Sequence, residues 1–145
     1  MRRSEQRRAA VVALYQHEVT GRPLEETLGD RPHPLTRALA LAATAREQEL
    51  DDLIARYAEG WSVDRIAPLE RSIMRVALAE MLHPHEIPGE VPIPAEGAID
   101  EAVQTAKTFC GAQAPGFVNG ILAAVLRSVR ENDHVQRPAG ERDRT

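Results

Sequence analysis

Sulfur chemistry is almost missing from this chain, which carries one cysteine, Cys110. A single thiol excludes an internal disulfide and a thiolate metal centre. Aromatic residues are equally sparse: Tyr15, Tyr57, Trp61, Phe109 and Phe117 are the five in 145 residues, so a surface that recognises bases would have few planes for stacking. Lysine is reduced to Lys107, the other 17 cations being arginine. That excess suits phosphate recognition, and a GC-rich genome would produce it as well. No run approaches the roughly 18 apolar residues of a membrane span, and the start M-R-R-S-E-Q-R-R offers no apolar stretch for a signal peptide. The expectation is a cytoplasmic protein that does not associate with membranes.

What is present is an ordinary globular composition, 43% hydrophobic and 28% charged, in a chain long enough to bury a core as one domain. The net charge of −4 argues against indiscriminate nucleic-acid binding, but the charge is uneven. Arg2, Arg3, Arg7 and Arg8 crowd the start against Glu5 alone, whereas His83 to Ala106 holds Glu86, Glu90, Glu96, Asp100 and Glu101 with no lysine or arginine. Cations at a helix start oppose the macrodipole, so the arginines have no helix-stability rationale.

The apolar spacing predicts helices throughout. Ser4 is the expected N-cap of a first helix ending near Thr20, with Val11, Leu14, Tyr15 and Val19 on its inner face and Gly21 and Pro23 as the stop. A short helix over Leu24 to Leu28 follows. From Leu35 to Trp61 the pattern reads as one long helix or two short ones. The stretch W-S-V-D-R-I-A-P-L-E-R-S-I-M-R-V-A-L-A-E-M-L, Trp61 to Leu82, is the centre of the fold. Pro68 suits a first helical turn, the apolar side chains cover more than half of the wheel, and Arg71, Ser72 and Arg75 form a narrow polar edge. Glu70 falls inside the apolar arc, about 100° from Leu69. Such a carboxylate is answered from inside the protein or covered by a partner.

H-P-H-E-I-P-G-E-V-P-I-P-A-E-G reads as a long proline loop. Helices are then expected from Ala98 to Phe109 and from Pro115 to Arg130, the second with Gly120 admitting a close neighbour, before a polar, disordered tail over residues 131–145. The fold class is all-α, six or seven helices, with residues 1–130 as a single helical domain.

The sequence carries no catalytic signature. His83 and His85 stand two apart in a proline loop and are expected not to converge on a metal. Cys110 lacks a nucleophile signature. Glu70 and Glu80 are ten residues apart on one helix, about 15 Å, too far for paired acid–base work. The chain is read as a non-enzyme with no cofactor and no metal.

The central stretch, with R-R-A-A-V-V-A-L-Y, A-I-D-E-A-V-Q-T-A-K-T-F and F-V-N-G-I-L in the same order, resembles the NusB transcription antitermination family over about residues 7–130. The resemblance implies two small packed helical bundles. It also implies binding to boxA RNA of nascent transcripts, notably ribosomal RNA leaders, together with the ribosomal protein NusE, within an RNA polymerase antitermination complex. On the matching positions it implies Arg3, Arg7, Arg8, Tyr15 and Lys107 as RNA contacts and Tyr15 and Glu70 as partner contacts. Arg75 is expected in an ion pair and Asn119 in a helix-contact hydrogen bond. The sequence departs from the family in a longer, acidic loop after Pro88 and in A-Q-A-P-G-F, which lacks the usual acidic residue. Other readings are a protein-binding or homodimeric scaffold with little RNA affinity, and the RNA-binding domain of an RNA methyltransferase.

Overall fold

The first helix, α1 (Arg3–Thr20), begins without a side-chain cap; Arg2 occupies the N-cap position. Ser4, expected there, lies inside the first turn, and its hydroxyl donates to Glu101 Oε1 at 2.9 Å, tying α1 to a later helix. Gly21 ends α1 in the left-handed region, φ 74°, with its N–H returning to the His17 carbonyl. A residue without Cβ adopts that conformation at little cost. In chain order follow α2 (Leu24–Leu28), α3 (Pro34–Ala45), α4 (Glu47–Tyr57), α5 (Pro68–Leu82), α6 (Ala95–Phe109) and α7 (Ala114–Gln136), with single 3-10 turns at Val63–Arg65 and Pro84–Glu86. The computed structural model describes residues 1–87 and 93–136. Among these no strand occurs, and no helix is long and apolar enough to cross a membrane.

Two helices, not one, occupy the Leu35 to Trp61 region: Arg46, φ −113° and ψ 22°, breaks the path between α3 and α4. α4 ends at Tyr57, so Trp61 lies beyond it and is 53% exposed. Phe109 and Val19, both expected in the core, are exposed as well. Pro68 does start α5. α6 begins at Ala95, earlier than expected, and α7 stays helical past residue 130 to Gln136. Gly120 has no close neighbour, since a Cβ built there meets nothing within 4 Å. The central part of the proline loop, 88–92, and residues 137–145 of the expected tail lie outside the described residues.

α5 is the common wall of two bundles, packing on α1 and α3 from one side and on α4, α6 and α7 from the other. Every residue from Ser72 to Glu80 is buried, which explains why the hydrophobic arc had to be so wide. Ala10 and Ala40 are fully buried, and their small side chains let α1 and α3 approach closely, with Leu39 filling the core beside them.

The expected polar edge of α5 is therefore not wet. Ser72 donates to the Pro68 carbonyl at 2.9 Å. Arg75, 6% exposed, grips Asp51 of α4 at 2.7 and 2.8 Å and reaches Glu18 of α1 at 3.2 Å and Glu47 at 3.3 Å. Burial opposes its charge, but Asp51 foremost, then Glu18 and Glu47, hold its pKa above the ordinary arginine value. The ion pair expected for Arg75 is thus the link between α1, α4 and α5.

Candidate nucleic-acid interface

Two ion-pair groups set how α1 lies on α5. At the start of α1, Arg7 Nε donates to both Glu80 carboxylate oxygens at 2.8 and 3.1 Å, and Nη2 donates at 2.8 Å. At its end Glu18 meets Arg71 at 2.7 Å and Arg75 at 3.2 Å. The helices are therefore antiparallel, and Tyr15, a turn before Glu18, comes to the same end of the molecule as Glu70, the residue before Arg71.

Arg7, expected as an RNA contact, is turned into the protein. Its residue is 6% exposed, its fork is filled by Glu80, and the Glu101 carboxylate stands 4.0 Å away. The Glu80 hydrogen bonds, opposed by burial, raise its pKa above the ordinary arginine value. The helix turns 100° between neighbours, so burying Arg7 turns Arg8 toward the edge. Arg8 is half-buried, and its Nε has no acceptor within the described residues. Tyr15, seven residues on, points in nearly the same direction as Arg8, about 10 Å along the axis, and is also half-buried. Arg3 is half-buried too, but its five-residue offset from Arg8 turns it about 140° away.

Lys107 is exposed near the end of α6 and has no ion-pair partner among the described residues. Three residues later comes Cys110, whose thiol is pushed up by burial and further by the Glu70 carboxylate. Tyr15, Glu70 and Lys107 thus gather at the end where α1 and α6 finish and α5 begins, whereas Arg3 and Arg8 stand at the start of α1.

Glu70 is half-buried and takes no hydrogen bond or ion pair from any described residue. The carboxylate answered from inside the protein is Glu80. Glu70 instead borders a cleft of about 560 Å³ with Trp61, Arg65, Ile66, Gln113 and Phe117. Beyond Trp61 and Phe117 the cleft continues into a hollow of about 480 Å³ edged by Arg56 and Arg127. Trp61 and these arginines, which line the cleft and the hollow, were not among the expected site residues. The available signal was Gly60, whose φ of 80° ends the helical path and takes Trp61 out of the apolar stripe. Asn119 is exposed and makes no hydrogen bond among the described residues, so it does not serve as a helix-contact donor.

The H-P-H-E stretch also departs from expectation. The 3-10 turn at Pro84–Glu86 draws one ligand atom each from His83, His85 and Glu86 to within 4.8 Å of one another. In a turn with three residues per repeat, His83 and Glu86, three apart, come to one side, and the His85 ring stands edge-on to that of His83.

Two helical bundles sharing one buried helix, with an arginine edge at one end and an open carboxylate beside an aromatic cleft at the other, define an all-helical binding protein. The sequence model of the NusB family matches residues 4–127, and the chain belongs to that family. It is similar to the transcription antitermination protein NusB of Symbiobacterium thermophilum, 35% identical over 147 aligned positions that cover 90% of this chain and 92% of the relative. Among solved structures, T. maritima NusB superposes with a TM-score of 0.74 at 31% identity, covering 88% of this chain and 92% of that one. A NusB solved with NusE and double-stranded RNA shares the fold, TM-score 0.70 at 22% identity, over 88% of this chain and 99% of that one. The chain is a homologue of antitermination factors.

Proposed function

We propose that the protein is a transcription antitermination factor that binds boxA RNA together with NusE and joins the RNA polymerase antitermination complex. It acts in the cytoplasm by binding alone, without catalysis, through a single domain spanning residues 1–130. One observation carries the proposal: Arg8 and Lys107 are cations without described partners, and Arg8 Nε is a buried donor lacking an acceptor. A buried donor left open is costly unless a ligand completes it, and a phosphate oxygen does so. Arg3, Arg8, Tyr15 and Lys107 are the RNA contacts in this reading, while Arg7 positions α1. At the far end Tyr15 and Glu70 meet NusE, which supplies the donors that Glu70 lacks. A relative of this fold was solved with both ligand classes.

The test is a titration with boxA-like RNA, with and without NusE from the same organism, at several salt concentrations. NusE should tighten binding. Arg8→Ala and Lys107→Ala should each weaken it and lower the salt slope by about 0.7. Glu70→Ala should reduce only the NusE-dependent gain, with the melting temperature unchanged. If NusE adds nothing and the cation variants bind RNA as well as the parent, the proposal fails, and the scaffold reading, tested by sedimentation, takes its place.

A further inference from the structure

Where α5 leaves the core, the chain assembles a group of side chains that RNA and NusE binding do not use. His83 is the residue after α5, its side chain is only 15% exposed, and its Nε2 lies 2.9 Å from Glu49 Oε1 on α4. Arg46, at the break between α3 and α4, holds Glu49 at 3.2 Å and also binds Glu86. His85 sits across the turn with its ring edge-on to that of His83, centroids 6.1 Å apart.

We propose that His83, His85 and Glu86 form a binding site for a divalent transition-metal ion of the zinc class. Two imidazoles and a carboxylate are the donor set such an ion prefers, and three protein ligands leave a fourth position for water. The arrangement goes beyond three nearby side chains because it includes an orienting partner. With Nε2 of His83 facing Glu49, its Nδ1 is the nitrogen left for the metal, and a carboxylate behind a ligating histidine fixes the ring and raises its basicity. The three ligand atoms now lie within 4.8 Å of one another. Bonds of about 2.0–2.1 Å in a tetrahedron require separations of roughly 3.3 Å, so side-chain rotation must close the remaining gap. Arg46 would release Glu86 to the ion and keep Glu49. The bound ion would fix the turn after α5, and the His83–Glu49 contact would join that turn to the start of α4. Hard cations such as Mg²⁺ prefer oxygen ligands and are not expected to bind.

The experiment is a calorimetric titration of ZnCl₂ into the full chain without a histidine tag, with a parallel MgCl₂ titration. The expected result is one zinc site per chain, no magnesium site, and zinc-induced changes in amide resonances confined to residues 46–49 and 83–87. His85→Ala and His83→Ala should each weaken zinc binding at least tenfold. Glu49→Gln, which removes no ligand, should weaken it by about 10–100-fold, the range for a lost orienting partner, while His17→Ala leaves it unchanged. Helix content by circular dichroism identifies any variant that does not fold, and His85, which is exposed, provides the variant least coupled to folding. Stoichiometric binding that survives His85→Ala, or none at millimolar zinc, overturns the proposal.

Discussion

Arg7 and Arg8 are neighbours in the sequence and differ in role because one helical step separates a side chain facing Glu80 from one facing the edge. Removing Arg7 leaves Glu80 buried without the partner that answers it. Arg7→Ala is expected to cost about 3–5 kcal/mol in urea unfolding, whereas Arg8→Ala, which loses no described partner, should stay within about 0.5 kcal/mol. The combination Arg7→Met with Glu80→Leu should recover most of the loss, since well-packed apolar replacements of a buried pair are often neutral. A loss of RNA binding in Arg7→Ala alone would consequently report a displaced α1. The sequence showed four arginines near the start of a helix but could not say which one a distant glutamate would take. Glu70 illustrates the opposite limit. Its wheel position was legible, yet the absence of a partner among the described residues depended on the tertiary packing around it.

At the scale of elements, period and punctuation made the helices readable. Pro68 opens α5 and Gly21 closes α1, both by backbone constraints that need no tertiary contact. Other boundaries were displaced: α6 starts at Ala95, directly after Pro94, and α7 runs to Gln136. In α7 the glycine at 120 serves no packing purpose that the described residues reveal, because a Cβ there enters open space. Gly120→Ala should therefore stabilise the protein by about 0.5–1 kcal/mol through helix propensity and a less flexible unfolded chain, read from the urea midpoint at unchanged m. Destabilisation would mean that this face is covered in solution.

The whole molecule depends on α5 being shared between two bundles, and Arg75 connects them by binding Asp51 and Glu47 on one side and Glu18 on the other. Its carboxylate partners keep 22–56% of their side-chain surface exposed, so water offsets part of its loss. Arg75→Ala is expected to cost about 2 kcal/mol, less than breaking a fully buried pair. Faster amide exchange should appear both in α4 and at the end of α1; acceleration confined to α4 would show that the bundles are not coupled there.

By itself the sequence determined the all-helical class, the central place of the Pro68–Leu82 helix and the family, because apolar periodicity, proline and glycine positions and motif order are local properties of the chain. Only the tertiary structure decided which charges are spent inside the protein and which remain available outside. Arg7, Glu80 and Arg75 are neutralised across helices that lie far apart in sequence, whereas Arg8, Lys107 and Glu70 have no ion-pair partner among the described residues. The physical reason is that an ion pair is fixed by the approach of two surfaces, and no spacing along one helix encodes the side chain that another helix brings to it.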